Sequence, residues 1–100
     1  MSLTSVTDGE IVQWLGERLR GLRETQGLTS QEAAAQAGLS RRTLYRAEHG
    51  QNPTLATLVR LLRLYGRLEA LAQFLPEEPE ISPMALLRER TRRDGRRGPS

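Results

Sequence analysis

Apolar positions along the chain fall into five short rows with helical spacing, separated by glycines and by residues that cap helix starts; there is no alternating strand pattern and no internal repeat. In the first row Ile11, Leu15, Leu19 and Leu22 recur at steps of four, four and three, which is one face of a helix. Thr7 and Glu10 stand ahead of it at capping-box spacing, with Asp8 as a competing N-cap, and Gly27 stops it. Glu17, Arg20 and Glu24 take the other side, with Glu17–Arg20 and Arg20–Glu24 at pairing distance. A second capping box, Thr29-Ser30-Gln31-Glu32, opens a short alanine-rich helix that ends at Gly38; its small side chains let another helix cross close to its backbone. Ser40 caps a third helix that turns Leu44 and Ala47 inward and Arg41, Arg42, Tyr45 and Arg46 outward, and ends at Gly50. After the loop Gln51-Asn52-Pro53, Thr54 caps a fourth helix with Leu55, Leu58, Leu61, Leu62 and Tyr65 expected inward, ending at Gly66. A fifth helix, residues 68–75, carries the stripe Leu68, Leu71, Phe74 and Leu75.

Between the second and third helices only Gly38 and Leu39 intervene before the cap, which forces a sharp turn and is the spacing of a helix-turn-helix. The expected fold is therefore all-α, five helices with a helix-turn-helix at helices 2 and 3, over residues 1–75. The acidic, proline-broken run Pro76-Glu77-Glu78-Pro79-Glu80 reads as a linker to a C-terminal tail, so that residues 76–100 form a second region. Ser82-Pro83 has the form of an N-cap followed by a first-turn proline, and residues 84–93 are amphipathic. From Leu86 onward Arg88, Arg90, Arg92, Arg93, Arg96 and Arg97 face only Glu89 and Asp94.

Composition removes several function classes. One hundred residues make one small domain plus a tail. With no cysteine there is no disulfide framework, no Cys-containing zinc site and no thiol nucleophile. A single histidine, His49, argues against a His-based metal site, so no metal and no cofactor are expected. His49 sits beside a terminating glycine with no nucleophile arranged around it, where a helix C-terminus simply favours its charge; the chain is not expected to be an enzyme. The first eight residues hold no basic region and no apolar core, and no apolar run approaches a membrane span, so a soluble cytoplasmic protein without a membrane partner is expected. Fifteen basic residues exceed twelve acidic ones for a net +3, and every basic residue is arginine. Arginine forks suit phosphate and guanine edges, although a GC-rich coding sequence gives the same bias. The four aromatics, Trp14, Tyr45, Tyr65 and Phe74, are too few for a base-stacking platform, and Trp14 reads as core or as a dimer contact.

The informative feature is a local conflict. Arg41 and Arg42 occupy the first turn of a helix, where the macrodipole disfavours each cation by about 0.3–1 kcal/mol. An anion at that helix end resolves the conflict, because backbone N–H groups and two guanidinium forks then converge on it. Arg42 and Arg46 lie four apart on one face, as a row reading a DNA groove requires. The bland alternative is a solvated arginine face; the turn in front of this helix favours the groove. Tyr45 suits contact with a phosphate or a thymine methyl, or packing against Arg41. Arg60, on the fourth helix, is expected to matter far less for DNA.

Residues 15 to about 75 resemble the lambda-repressor/Cro-like (XRE) helix-turn-helix family. The matching run is Leu19-Arg20-Gly21-Leu22-Arg23-Glu24, Gly27-Leu28-Thr29, Ala33-Ala34 through Gly38-Leu39-Ser40, Thr43-Leu44, Glu48-His49-Gly50, Asn52-Pro53-Thr54-Leu55 and Thr57-Leu58. The resemblance implies a homodimeric repressor on a palindromic operator in double-stranded DNA, with one recognition helix in each major groove. It implies base-reading positions at Ser40, Arg41, Arg42 and Arg46, and phosphate-side positions at Thr43 and Asn52. The backbone-touching glutamine usual at the entry of helix 2 is replaced by Ser30, with Gln31 beside it. Ala33 stands where a larger aliphatic is usual, so Trp14 or Leu62 is expected to fill that layer. The resemblance further implies a partly buried ion pair, Arg23 with Glu48, that sets the angle of the recognition helix. Leu68, Leu71 and Phe74 are the expected dimer contact. The linker and arginine-rich tail are similar to those of stand-alone HipB-type antitoxins, which makes capture of a HipA-like kinase toxin the alternative function.

Overall fold

Four hydroxyl side chains start four of the helices. The computed structural model describes residues 2–77 together with Met84, Leu87, Arg88 and Arg90. After a 3-10 turn at Leu3–Ser5 come α1 (Asp8–Thr25), α2 (Ser30–Ala37), α3 (Arg41–Glu48), α4 (Leu55–Leu64) and α5 (Glu69–Phe74), with no strand among the described residues. Thr7, Thr29, Ser40 and Thr54 each accept a hydrogen bond from the backbone N–H three residues on, at 3.0–3.2 Å. Each such cap is worth about 0.5–2 kcal/mol. At α2 the box is complete, because the Glu32 carboxylate accepts from the Thr29 N–H at 2.9 Å. Those bonds, the backbone one first, hold the Glu32 carboxyl below its ordinary range.

The chain divides into two units, Met1–Ala70 and Leu71–Ser100. In the first, α3 packs against α1, α2 and α4. Leu19, Ala33, Ala34, Leu44, Ala47, Leu61 and Tyr65 form the buried core, and Leu22, Leu28, Ala37, Leu39, Leu58, Leu62 and Leu64 pack around it. Of the second unit, Phe74, Leu75, Met84 and Leu87 are exposed. The readings made for Ser82-Pro83, for Leu86 and for most of residues 84–100 lie outside the described residues. Among the described residues no helix is long and apolar enough to cross a membrane.

Two inward assignments are corrected. Leu15 is 42% exposed, and the buried residues of α1 are Gly16 and Leu19. The cause is the close approach of α3. A Cβ on Gly16 would lie 2.7 Å from both the Ala47 and the Glu48 carbonyl oxygens, so the face of α1 that meets α3 follows Gly16, Leu19 and Arg23 instead of the leucine row. Leu55 is 81% exposed, while Thr57 is buried. Leu55 directly follows the cap, and the line that reaches the core begins two residues later with Thr57, Leu61 and Tyr65 at steps of four. At α2 the small side chains do permit close packing, since Ala33 and Ala34 are fully enclosed. Leu62 packs around the core, whereas Trp14 lies outside it, in a shallow groove with Val6, Glu10, Gln13 and Glu17. Of the surface pairs on α1, Arg20 reaches Glu24 at 3.5 Å, in water and of little energetic weight.

Two helical glycines separate the close approach from ordinary helix propensity. Gly16→Ala is expected to lower unfolding free energy by about 1–3 kcal/mol through forced repacking. Gly21→Ala, where a Cβ meets nothing within 4 Å, is expected to raise it by about 0.5–1 kcal/mol. Urea denaturation of both variants measures the difference; equal effects would remove the α1–α3 approach as a constraint.

Candidate nucleic-acid interface

The helix that carries the arginine row is fixed by what lies beneath it. Leu44 and Ala47 of α3 are each 1% exposed, which leaves Arg41, Arg42, Tyr45 and Arg46 on the solvent side. Under the helix Arg23 donates from Nε to Glu48 Oε2 at 2.7 Å and from Nη2 to Glu48 Oε1 at 3.1 Å. Its third nitrogen, Nη1, donates to the Leu28 carbonyl oxygen at 3.0 Å. One guanidinium thus ties α1 to α3 and to the segment leading into α2. The side chains are 11% and 4% exposed, so this is a desolvated, two-pronged pair. Hydrogen bonding to Glu48 raises the Arg23 pKa above its already high ordinary value, against the opposing effect of burial.

Behind the pair lies Tyr65, 3% exposed, whose Oη has no hydrogen-bond partner. Burial first, then the Glu48 carboxylate, push its pKa up to about 12, with Arg23 pulling the other way. The Tyr65 carbonyl accepts from Gln26 Nε2 at 3.0 Å, which joins the ends of α1 and α4.

The α2–α3 turn has its own clamp. Gly38 ends α2 in the left-handed region, φ 70°, and Arg60 Nη1 donates to its carbonyl oxygen at 2.9 Å. Sequence periodicity gives no sign of this contact, which joins a side chain on α4 to a backbone oxygen twenty-two residues away. Arg60 therefore supports the turn rather than standing apart from it.

Two concavities flank α3 and divide the expected contact residues between them. One, about 460 Å³, gathers Ser30, Arg41, Arg42 and Tyr45 with Arg20, Arg23, Glu48 and His49. The other, about 170 Å³, gathers Thr43, Arg46 and Asn52 with Gln51, Pro53, Thr54 and Thr57. Asn52 adopts φ 53°, a left-handed conformation that asparagine tolerates better than most residues. Ser40 is engaged at the cap: its Oγ accepts from the Thr43 N–H and donates to Thr43 Oγ1 at 2.8 Å. That leaves the Thr43 hydroxyl proton for an outside acceptor. Gln31 is exposed in the first turn of α2 and lines neither concavity. Leu68 and Leu71 are half-buried and Phe74 is 72% exposed. Among the described residues no cluster of His, Cys, Asp and Glu is suited to a metal ion.

A short helix, a three-residue turn and a second helix with an exposed cationic side, seated on α1 and α4, define a helix-turn-helix domain. The sequence profile of the family described as "Helix-turn-helix domain" matches residues 14–75, and the chain belongs to that family, in its lambda-repressor/Cro-like (XRE) form. Curated relatives are the HTH-type transcriptional regulator PuuR of Escherichia coli (strain K12) and the protein of the same name from Shigella flexneri. Each is 33% identical over 72 residues, covering 66% of this chain and 38% of the relative. The chain thus spans about two fifths of the length of these relatives.

Breaking the ion pair from one side leaves an uncompensated buried charge. Arg23→Met and Glu48→Met are each expected to destabilise by about 3–5 kcal/mol, and the double variant by clearly less than their sum. A double-mutant cycle by urea denaturation checks this; strictly additive losses would reduce the pair to two independent side chains.

Tyr65 yields an alkaline signature. Its ordinary pKa of 10.0 is raised to about 12 on folding, so its contribution is intact below pH 10 and lost as pH climbs from 10 toward 12. Tyr65→Phe is expected to remove that loss and to leave stability at neutral pH equal or higher, because the phenylalanine brings no unpaired buried hydroxyl. Thermal melts from pH 9 to 12 read both effects; an unchanged alkaline profile would contradict the assignment.

Proposed function

We propose that this chain is a sequence-specific double-stranded DNA-binding transcriptional regulator, a homodimeric repressor that reads a palindromic operator. The observation that carries the reading is α3. Arg41 and Arg42 occupy the first turn of that helix, exposed, with no acidic residue in the turn. Arg46 follows one turn later on the same side. A duplex supplies the negative charge this helix end lacks: phosphates for the backbone N–H groups, and guanine edges for the guanidinium forks. In this reading Ser40, Arg41, Arg42 and Arg46 face bases, and Ser30, Gln31, Thr43, Tyr45 and Asn52 face the backbone or thymine methyls. The two PuuR proteins are named as transcriptional regulators, which supports the same role here.

The homodimer rests on α5. The supporting observations are the sequence stripe Leu68, Leu71 and Phe74 and the 72% exposure of Phe74, an apolar side chain suited to meeting its twin across a two-fold axis. The two recognition helices would then lie about 34 Å apart, one turn of B-DNA. The antitoxin alternative rests on residues 82–93, most of which lie outside the described residues, and on no further observation.

Selection of duplexes from a random pool, followed by footprinting, tests this function. Two protected half-sites one helical turn apart are expected. Arg42→Ala is expected to weaken the selected duplex by about 1–3 kcal/mol and to relax one position per half-site, with a smaller effect on random DNA. Arg18→Ala, on the exposed side of α1, serves as control. Equal losses on selected and random duplex would reduce Arg42 to a phosphate contact; recovery of no preferred sequence would overturn sequence-specific reading.

A further inference from the structure

The C-terminal end of α3 holds a feature that the arginine row does not account for. His49, the only histidine of the chain, caps the helix with its ring stacked on Tyr45: the centroids are 3.8 Å apart and the planes 19° from parallel. Its Nδ1 lies 2.8 Å from the Tyr45 carbonyl oxygen. A carbonyl oxygen only accepts, so Nδ1 carries the proton and the neutral ring is left with Nε2 as a bare acceptor. The stack and the Nδ1 bond together hold the ring in this orientation, since turning it over loses the bond.

The ring forms part of the wall of the larger concavity beside α3. The charged and titratable groups facing that space are Arg20 and Arg23 of α1 and Arg41, Arg42, Tyr45 and Glu48 of α3, while α2 contributes only the Ser30 hydroxyl. Glu48 is already matched by both prongs of Arg23. Arg20 is shared with Glu24 in solvent. Arg41 and Arg42 remain, so the space is cationic when empty. A phosphate entering there would meet both free guanidiniums. A neutral imidazole offers that phosphate only a repelling lone pair at Nε2; a protonated one offers a charge-assisted N–H donor.

We propose that His49 is a proton-gated contact to the DNA backbone, so that the chain takes up a proton at this ring as a phosphate enters the space it lines together with Arg41, Arg42 and Ser30. The inference rests on the DNA-binding reading and deepens it: DNA affinity rises as pH falls, at one residue, by the reciprocity that links proton and phosphate. Imidazole is the side chain whose ordinary titration falls between pH 5 and 8. Tyr45 has a positioning role, as the shelf and the carbonyl that fix the ring.

The test is equilibrium binding of the full chain to its selected duplex at fixed ionic strength, at about pH 7.5 and about pH 5.5, on either side of the ordinary histidine titration. The wild-type chain is expected to bind about fivefold more tightly per protomer at the lower pH, the part of the roughly tenfold limit set by one unit of linkage between free and bound states that falls inside this pH window. His49→Gln is expected to bind with nearly equal affinity at both, and His49→Arg, a permanent cation, to hold the low-pH affinity at both. Circular dichroism of each variant verifies folding. Wild-type affinity that does not change with pH, or a pH dependence that survives in His49→Gln, would overturn the proton-gated contact while leaving DNA binding in place. A chain that binds no duplex at either pH would overturn the DNA-binding reading itself, and this inference with it.

Discussion

The bidentate bond between Arg23 and Glu48 is the constraint on which the rest of this small domain depends. It lies where α1, the approach to α2 and the underside of α3 meet, and one guanidinium carried by α1 satisfies acceptors on the other two. Such a pair adds little net stability compared with apolar packing, because both charges leave water to form it. What it supplies is geometry. Two parallel N–H···O bonds tolerate neither a rotation of α3 about its axis nor a slide along α1. Gly16 completes the constraint from the other direction by letting the α3 carbonyls come down onto the α1 backbone. Polar fork and absent side chain together permit one seating of the third helix.

From that seating follows the distribution of charge. Once Leu44 and Ala47 are buried, every arginine of α3 must stand in solvent. Two of them stand at the helix end least suited to hold cations without an anion. The Gly38 carbonyl, bonded to Arg60, ties the turn in front of α3 to α4, so the first turn of α3 is braced from both sides. In the proposed function the domain is a rigid mount, and recognition is the task of side chains that make few contacts within the protein.

Much of this was legible in the sequence. The caps at Thr7, Thr29, Ser40 and Thr54, the short connection at Gly38 and Leu39, and the inward pair Leu44 and Ala47 are local signals, and local chemistry decides them. Where the leucine pattern misled, packing was set by something that hydropathy does not score. Gly16 contributes no apolar surface, yet it turns α1 so that Leu15 faces water; Leu55 follows the helical pattern but sits two residues before α4 reaches the core. The Arg60 bond to Gly38 and the burial of the unpartnered Tyr65 hydroxyl are products of tertiary packing, and the stacking of His49 on Tyr45, four positions apart, is visible only once rotamers are fixed. The Arg23–Glu48 bond was expected only through family resemblance, because two charges twenty-five positions apart carry no mark of their partnership.

The central claim is that α3, held from beneath, presents its outer face to a duplex. Amide chemical-shift mapping of the labelled chain during titration with its selected DNA tests that most directly. Shifts concentrated at residues 29–31 and 40–52, with α1 changing mainly around Arg20 and Arg23, are the predicted result. Shifts centred on the groove around Trp14, with α3 unmoved, would contradict it.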